Sequence, residues 1–436
     1  MNIYLTIISL GLLIFLSHIF NELFERTKIP NVLLLLLIGI IIGPVSGIIT
    51  KDFFGKLGNV FTTITLIVIL FESGAGLQFR ALKKAIGSAT LMTVTNFVVT
   101  ILLTSFIARW FFSLDTLTAV FIGAIVGGTS SAVVIPMVRQ LRMGEKSTNV
   151  LILESALSDV LCLVVGLALL EGISQGEVSF GTIFSKMWKA FVFAIVIGLG
   201  SGFIWSALIG KIRSVKNSMF TTLAFVFILY GVVELMGLNG GIAILSFGIL
   251  LGNAEGFGKS EKMRKVFAFE SSGFNSNERD FFSEIVFIMQ TYFFVYVGIS
   301  LQFGSLTVYA AGFLIVLLII LFRIPVAVFF TGKSIPGSEK TIMSVLTPKG
   351  LVPAVLASLP MQRGLPHGDI ILDLGYSIVL FSIIICSVLV VIISMKPDLV
   401  KNMVKGKKSS GETVPAETVP GESVDAPASE EDSTEK

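Results

Sequence analysis

The chain is divided into long apolar stretches that are separated by short polar loops. A helix needs roughly 17 to 25 mostly apolar residues to cross a bilayer. The pattern predicts about thirteen such spans. They fall at about 3–20, 31–49, 58–78, 87–111, 117–138, 149–171, 184–209, 219–236, 240–252, 283–302, 305–331, 341–361 and 370–395. The sequence therefore predicts an all-α polytopic membrane protein.

Two of these spans are unusual at their ends. The first, at 3–20, has neither a basic segment before it nor a small-residue cleavage site after it, so we predict a retained helix and not a signal peptide. The span at 240–252 is short and begins with Gly240-Gly241. Because glycine weakens a helix, we predict a broken or re-entrant element there.

The composition supports this class and excludes others. The chain is 54% hydrophobic and 14% charged, with a mean hydropathy of +0.90, which is far from a water-soluble domain of this length. Its two cysteines, Cys162 and Cys386, lie in separate apolar spans and are predicted to be buried thiols. The sequence contains no HExxH, Walker, GxGxxG or CxxC motif, so we expect no enzyme activity, no cofactor and no nucleic-acid partner.

Lysine and arginine concentrate in every second loop. The positive-inside rule then places the N-terminus outside and the C-terminal segment in the cytoplasm of the cell (inner or plasma) membrane. The loop 254–282 is predicted either to lie along the membrane surface or to be a solvated loop. Residues 399–436, with two ETVP repeats and a cluster of acids, are predicted to form a disordered cytoplasmic tail.

Two carboxylates interrupt the apolar span 149–171, at Glu154 and Asp159. A charge at the bilayer centre costs at least about 2.5–3.5 kcal/mol, so such a carboxylate is a functional hypothesis by default. Ser155 and Asp159 are four residues apart and share one helix face, whereas Glu154 points elsewhere. We predict that Asp159 binds a cation and a proton in turn and that Glu154 is structural. The alternative is that both carboxylates are merely paired within the bundle.

Helix-breaking residues occur within two further spans. The first contains Gly127-Gly128-Thr129-Ser130-Ser131, and the second contains Thr347-Pro348-Lys349-Gly350. Two interrupted helices in corresponding halves of a transporter are the best sequence indication of its binding site. Counted at 1.5 Å per residue from the basic residues at the ends of their spans, both breaks and Asp159 fall near the middle of the bilayer. The alternative for each break is a packing kink.

Three more charged residues fall well within the predicted spans. Arg323 needs a partner, and Glu154 lies at a similar depth, so we predict a structural ion pair between them. Glu72 is predicted either to line the inner vestibule or to be a hydrogen-bonded structural acid. Lys349 belongs to the second broken helix.

With these residues in place, the chain resembles the monovalent cation:proton antiporters of the sodium/proton exchanger family, and within it the electroneutral branch, over about residues 1–396. The matching stretches are KIPNVLLLLLIGIIIGP (28–44), LFESGAGL (70–77), GGTSSAVVIP (127–136), ESALSDV (154–160), FRIPVAVF (322–329) and TPKGLVPAVLAS (347–358). Each stretch alone is a weak signal, and together they are specific.

The resemblance implies a fold and a mechanism. It implies inverted repeats with two crossed unwound helices, elevator-type alternating access and a homodimer in the lipid bilayer. The transmembrane domain would comprise residues 1–398. Its core would comprise about 87–171 and 305–395, and its dimerisation (scaffold) part about 1–78 and 184–302.

The resemblance also implies the site residues. Asp159 would bind the exchanged ion, with Ser155 and the Thr129 main chain as further ligands and Ser130 and Ser158 at the same site. Glu72 would contribute at the inner mouth. The Glu154–Arg323 pair would hold the core together.

Two departures from the family pattern concern selectivity and stoichiometry. Ser158-Asp159 stands where the electroneutral branch usually has Asn-Asp and the electrogenic branch Asp-Asp. Thr129-Ser130-Ser131 stands where the electroneutral branch often has Thr-Asp-Pro. Lys349 therefore lacks the usual acidic neighbour, and we expect it to neutralise the carbonyl end of a half-helix. A single titrating carboxylate favours exchange of one cation for one proton.

The sequence leaves three classes of function open. The first is antiport of H⁺ against Na⁺, with K⁺ or Li⁺ as alternatives, serving pH and cation homeostasis. The second is a gated cation channel, such as a potassium-efflux system. The third is an intramembrane protease, in which a serine nucleophile would need Lys349 as its base.

Overall fold

The computed structural model of the chain describes residues 3–27, 29–49, 55–77, 87–174, 180–212, 219–258, 276–331 and 335–395. Fifteen helices occupy most of these residues. They are α1 (Ile3–Thr27), α2 (Asn31–Ile40), α3 (Gly55–Gly76), α4 (Ser88–Phe112), α5 (Thr116–Ile125), α6 (Ser131–Gln140), α7 (Glu145–Ser174), α8 (Phe180–Ile212), α9 (Met219–Leu235), α10 (Gly240–Gly258), α11 (Ser276–Ser300), α12 (Leu306–Phe330), α13 (Gly337–Val345), α14 (Leu351–Gln362) and α15 (Gly368–Met395). A π-helical turn, Ile41–Val45, extends α2.

Helices occur at each position where the sequence predicts a span, and the described residues contain no strand. Seven helices are long and apolar enough to cross a membrane by length and composition, which supports a multi-pass membrane protein. The total of thirteen crossings, the inverted repeats and the division into core and scaffold stay predictions. The predicted tail at 399–436 and the middle of the loop 254–282 lie outside the described residues.

The two predicted interruptions are real breaks between short helices. The first separates α5 from α6, and the second separates α13 from α14. Pro348 lies in the second break and lacks a backbone N–H, so it does not continue the hydrogen-bond ladder of α13. The breaks contact each other, because the Ser130 N–H donates to the Pro348 carbonyl at 2.7 Å. The two unwound segments are therefore in direct contact.

The prediction of a broken element at Gly240-Gly241 is wrong. Helix α10 runs without interruption from Gly240 to Gly258. The Asn239 side chain caps its first turn by accepting from the Ile242 N–H at 3.0 Å, and the Glu234 side chain accepts from the Gly240 N–H at 2.8 Å. The glycine pair therefore marks where the helix begins and not where it breaks.

Helix α10 packs closely along α3. The approach depends on glycines, since a Cβ atom added at Gly74, Gly248 or Gly252 would overlap the backbone of the facing helix. Small residues allow such close contact between helices in a membrane, where the hydrophobic effect does not drive association. This pairing gives α3 a fixed position beside the site.

Candidate functional site

The break between α5 and α6 leaves backbone carbonyls without helical partners, and Lys349 binds one of them. Its Nζ donates to the Gly128 carbonyl at 2.9 Å, just beyond the C-terminal end of α5. The Lys349 side chain is buried, and its backbone N–H donates to Ser382 Oγ at 2.9 Å. A cation at this position offsets the negative end of the half-helix dipole, as expected for Lys349.

The second half-helix ends in a corresponding way at Arg323. The Arg323 Nε donates to the Met343 carbonyl near the C-terminal end of α13, at 2.9 Å. Its two terminal nitrogens bind both carboxylate oxygens of Glu154, with Nη2 and Oε2 2.7 Å apart. Asn96 Nδ2 adds a bond of 3.0 Å to Glu154. This network ties α4, α7, α12 and α13 together.

The predicted pairing of Glu154 with Arg323 is thus present in the structure, and the two side chains are only 2% and 3% exposed. A buried charge of this kind is tolerated when it is paired and hydrogen-bonded. Glu154 is committed to Arg323, so it does not face Asp159. Of the two carboxylates within the predicted span, Asp159 is therefore the one available to a ligand.

Asp159 lies at a cavity of about 300 Å³. The cavity is lined by Ile69, Glu72, Ser73, Ser130, Ser131, Ala132, Ile135, Pro136, Asp159, Val286, Gln290, Leu351 and Val352. Asp159 is 7% exposed, and Ser131 Oγ donates to its Oδ2 at 3.3 Å. The cavity adjoins the C-terminal part of α3, the N-terminal halves of α6 and α14, and the middle of α7 and α11.

Two half-helices begin at this cavity, because Ser131 is the first residue of α6 and Leu351 the first of α14. The first N–H groups of a helix lack helical partners and carry partial positive charge. They favour an anionic carboxylate nearby. The hydroxyl and carboxylate oxygens around the cavity are the ligands that a hard monovalent cation requires.

The sequence-predicted ligands separate into two groups. Asp159, Ser130 and Glu72 line the cavity. Thr129 and Ser158 instead bond to each other, since the Thr129 N–H donates to Ser158 Oγ at 3.0 Å. The two hydroxyls are 3.2 Å apart.

Ser155 also bonds within the protein. Its hydroxyl donates to the Ile152 carbonyl of its own helix at 3.0 Å, and its carbonyl accepts from Ser158 Oγ at 3.1 Å. The hydroxyls of Thr129 and Ser158 therefore stabilise the first break, whereas Ser155 contributes through its carbonyl. Their role as ligands stays a prediction.

Sequence reasoning missed three polar residues of the cavity, Ser73, Ser131 and Gln290. Ser131 was detectable, because it belongs to the same glycine- and serine-rich break as Thr129. Gln290 was detectable only as an amide within the apolar run of α11. Its distance in sequence from Asp159 gave no indication that the two share a cavity.

A second cavity of about 230 Å³ lies farther along the same helices. It is lined by Asn59, Thr63, Leu66, Leu167, Tyr230, Glu234, Asn239, Gly241, Leu359, Gln362 and Arg363. Arg363 pairs with Glu171 at 3.4 Å, and both side chains are about a third exposed. Helices α3 and α14 thus contribute to a cavity near each of their two ends, and α7 contributes to both cavities.

The sequence matches a known family over most of its length. The profile described as "Sodium/hydrogen exchanger, transmembrane" matches residues 11–396. A relative from Shewanella baltica (strain OS223), named K(+)/H(+) antiporter NhaP2, is 26% identical over 386 residues, covering 86% of this chain and 64% of the relative. The chain thus spans slightly less than two thirds of that protein's length.

A second relative matches over nearly its full length. It is the protein named probable Na(+)/H(+) antiporter 2 of Methanocaldococcus jannaschii, which is 25% identical over 392 residues, covering 85% of this chain and 88% of the relative. The solved structure of the sodium proton antiporter MjNhaP1 from the same organism at pH 8 superposes with a TM-score of 0.69. It is 23% identical and covers 89% of this chain and 100% of its own, so it shows a shared fold. The chain belongs to the sodium/hydrogen exchanger family of monovalent cation:proton antiporters.

Proposed function

We propose that the protein is a secondary active antiporter that exchanges a monovalent cation for H⁺. The observation that supports this most is the buried Asp159 carboxylate, which faces a polar cavity beside two broken helices. An isolated carboxylate of this kind is costly to leave charged in a membrane, so it is neutralised by a proton or by a cation. Competition between the two at one group couples their movements.

Na⁺ is the first candidate for the cation, and K⁺ and Li⁺ are the alternatives. The relative from Methanocaldococcus jannaschii has a name that specifies Na⁺, and the Shewanella relative has one that specifies K⁺. The K⁺/H⁺ antiporter is therefore the second candidate function, on the basis of that relative.

Elevator-type alternating access is the transport mechanism we propose. In this mechanism Asp159 moves with α6, α7 and α14, and the opposite wall of its cavity remains on α3 and α11. Under this proposal, the cavity beside Asp159 serves access from one side, and the second cavity belongs to the route that opens toward the other side. We further propose a homodimer, with the N-terminus outside and the C-terminal tail in the cytoplasm.

Exchange of one cation for one proton is expected, because Asp159 is the titrating group and the Gly128 carbonyl at the end of α5 favours the charged form of Lys349. Proteoliposomes with a fixed pH gradient should show cation-driven proton movement for Na⁺ or K⁺. Its equilibrium point should be the same with the membrane potential clamped at zero and at roughly −100 mV. Moving one net charge is worth about 2.3 kcal/mol per 100 mV, so electrogenic exchange would respond clearly.

Two outcomes of that experiment would refute the proposal in different parts. Cation flux without coupled proton movement would indicate a channel. Coupled movement with a potential-dependent equilibrium point would retain antiport but exclude one-for-one exchange. Lys349 or Glu72 would then be the second proton carrier.

The Ser131 hydroxyl, which donates to Asp159, should affect cation binding more than the Ser155 hydroxyl, which lies one turn before Asp159 on α7. Replacing Ser131 with alanine removes the donor to Asp159, and we expect the apparent KM for the cation to rise about three- to tenfold. Ser155→Ala should change it less, since the Ser155 hydroxyl bonds to its own helix. Initial rates of cation-driven proton movement in proteoliposomes give the apparent KM of each variant. A larger KM change in Ser155→Ala would restore Ser155 as a ligand.

A further inference from the structure

The cavity beside Asp159 has two walls of different origin. One wall is formed by the first break and by α6, α7 and α14, and its polar residues are Ser130, Ser131 and Asp159. The opposite wall is formed by α3 and α11, which pack against each other. Its polar residues are Glu72 and Ser73 on α3 and Gln290 on α11.

Gln290 occupies a position that is unfavourable for an amide without a partner. It is half-buried in the middle of α11, between Met289 and Thr291, in a helix with a long apolar run. Thr291 bonds elsewhere, to Ser17 Oγ and to the Phe287 carbonyl. Within the part of the chain that the structure describes, no protein group forms a hydrogen bond with the Gln290 amide. A half-buried amide that lines the cavity without a protein partner is available to bind a polar ligand there.

Glu72 has a similar environment on the neighbouring helix. It is partly buried and lines the same cavity, and none of the described basic residues forms an ion pair with it. A carboxylate attracts a cation over a longer distance than a neutral oxygen does. An amide carbonyl oxygen can replace one water molecule of a cation's hydration shell. Glu72 therefore supplies a negative charge to the cavity, and Gln290 supplies a neutral oxygen ligand.

We propose that Gln290 supplies the neutral ligand of an entry site for the transported monovalent cation on the α3–α11 wall, opposite Asp159. Glu72, whose contribution at the inner mouth the family resemblance already implies, lies on the same wall. This inference rests on the proposed antiport function. A cation that enters the cavity loses part of its hydration shell to Gln290 Oε1 and then passes to Asp159. Gln290 thereby acts as a specificity-determining residue.

The position of the entry site predicts a difference between the two sides of the membrane. In the elevator mechanism Asp159 and Ser131 move together and bind the cation in both states. Gln290 stays on its wall and contacts the cation only when the cavity is open on the side described here. Loss of Gln290 should therefore weaken cation binding from this side alone, whereas loss of Ser131 should weaken it from both sides.

The test compares Gln290→Leu with Gln362→Leu, which makes the same change at the second cavity. Cation-driven proton movement is measured with Na⁺ and with K⁺ in membrane vesicles of the two opposite orientations. For Gln290→Leu we expect the apparent KM to rise about tenfold when the cation is added on the side of the Asp159 cavity. From the other side the KM should be unchanged. Gln362→Leu should not produce this rise.

A second variant tests the ligand role without removing the polar group. Gln290→Glu replaces a neutral oxygen with a carboxylate, which has a higher field strength and favours the smaller cation. The ratio of the KM for K⁺ to the KM for Na⁺ should therefore increase, again from the Asp159 side alone. Neither effect is expected if Gln290 merely supports the fold of α11.

The outcomes separate this inference from the proposed function. Equal KM changes from both sides, or no change from either side, would overturn the entry site while antiport stands. If Ser131→Ala also leaves the KM unchanged and Asp159→Asn still transports, the proposed function itself fails. Thermal unfolding of each variant in detergent checks that the protein is folded, so that the KM measured from each side can be interpreted.

Discussion

Replacing Asp159 with asparagine should abolish exchange, reducing cation-driven proton movement to the level of protein-free liposomes. The amide has nearly the same shape as the carboxylate and can still accept from Ser131 Oγ. It takes up no proton at working pH and carries no charge to neutralise a cation, so the two transported ions no longer compete for one group. Transport is measured in proteoliposomes with a pH-sensitive dye, and insertion is checked by size-exclusion chromatography.

The control for this change is Glu234→Gln, which converts a partly buried carboxylate in the second cavity into an amide. Glu234 accepts from the Gly240 N–H at the start of α10, a bond that the glutamine carbonyl can also form. We expect this variant to retain exchange. Normal antiport by Asp159→Asn would eliminate the mechanism, whatever the result for Glu234.

Removing one member of the Arg323–Glu154 pair should destabilise the protein by roughly 3–5 kcal/mol, because the remaining charge is left buried without its partner. Glu154→Gln and Arg323→Met test this by thermal unfolding in detergent. The double variant should be more stable than the sum of the two single changes predicts. This restoration is the coupling that a double-mutant cycle measures.

The exposed pair Arg363–Glu171 is a matched control within the same protein. Its members are 31% and 32% exposed, compared with 3% and 2% for Arg323 and Glu154. Solvent screens exposed pairs, which contribute about 0–1 kcal/mol. The corresponding single variants should therefore unfold close to the wild-type temperature. Strictly additive effects at Arg323 and Glu154 would show that the buried pair has no cooperative role.

The positions of the helices were predictable, because a bilayer requires apolar runs of defined length. The breaks at Gly127-Gly128 and at Pro348 were predictable for a related reason, since both interrupt the backbone ladder of an apolar span. The prediction of a break at Gly240-Gly241 was wrong because glycine also occurs at the beginning of helices. Only the Asn239 cap and the close approach of Glu234 distinguish the two cases.

Part of the site was also predictable from charge. A buried Arg323 requires an anion at its own depth in the membrane, and the predicted spans place Glu154 at that depth. The hydroxyls of Thr129 and Ser155 were less predictable, because helical spacing assigns a side chain to a face without showing what it bonds. Gln290 was not assigned, since the contact between α11 and the Asp159 cavity depends on how distant helices pack.

Proton release on cation binding tests most directly whether one carboxylate, Asp159, binds both transported ions. Purified protein in a weakly buffered detergent solution is titrated with Na⁺ or K⁺ over a series of pH values. If the two ions compete for Asp159, wild-type protein should release up to about one proton per cation bound, and Asp159→Asn should release none. Saturable cation binding with no proton release at any pH would contradict this mechanism.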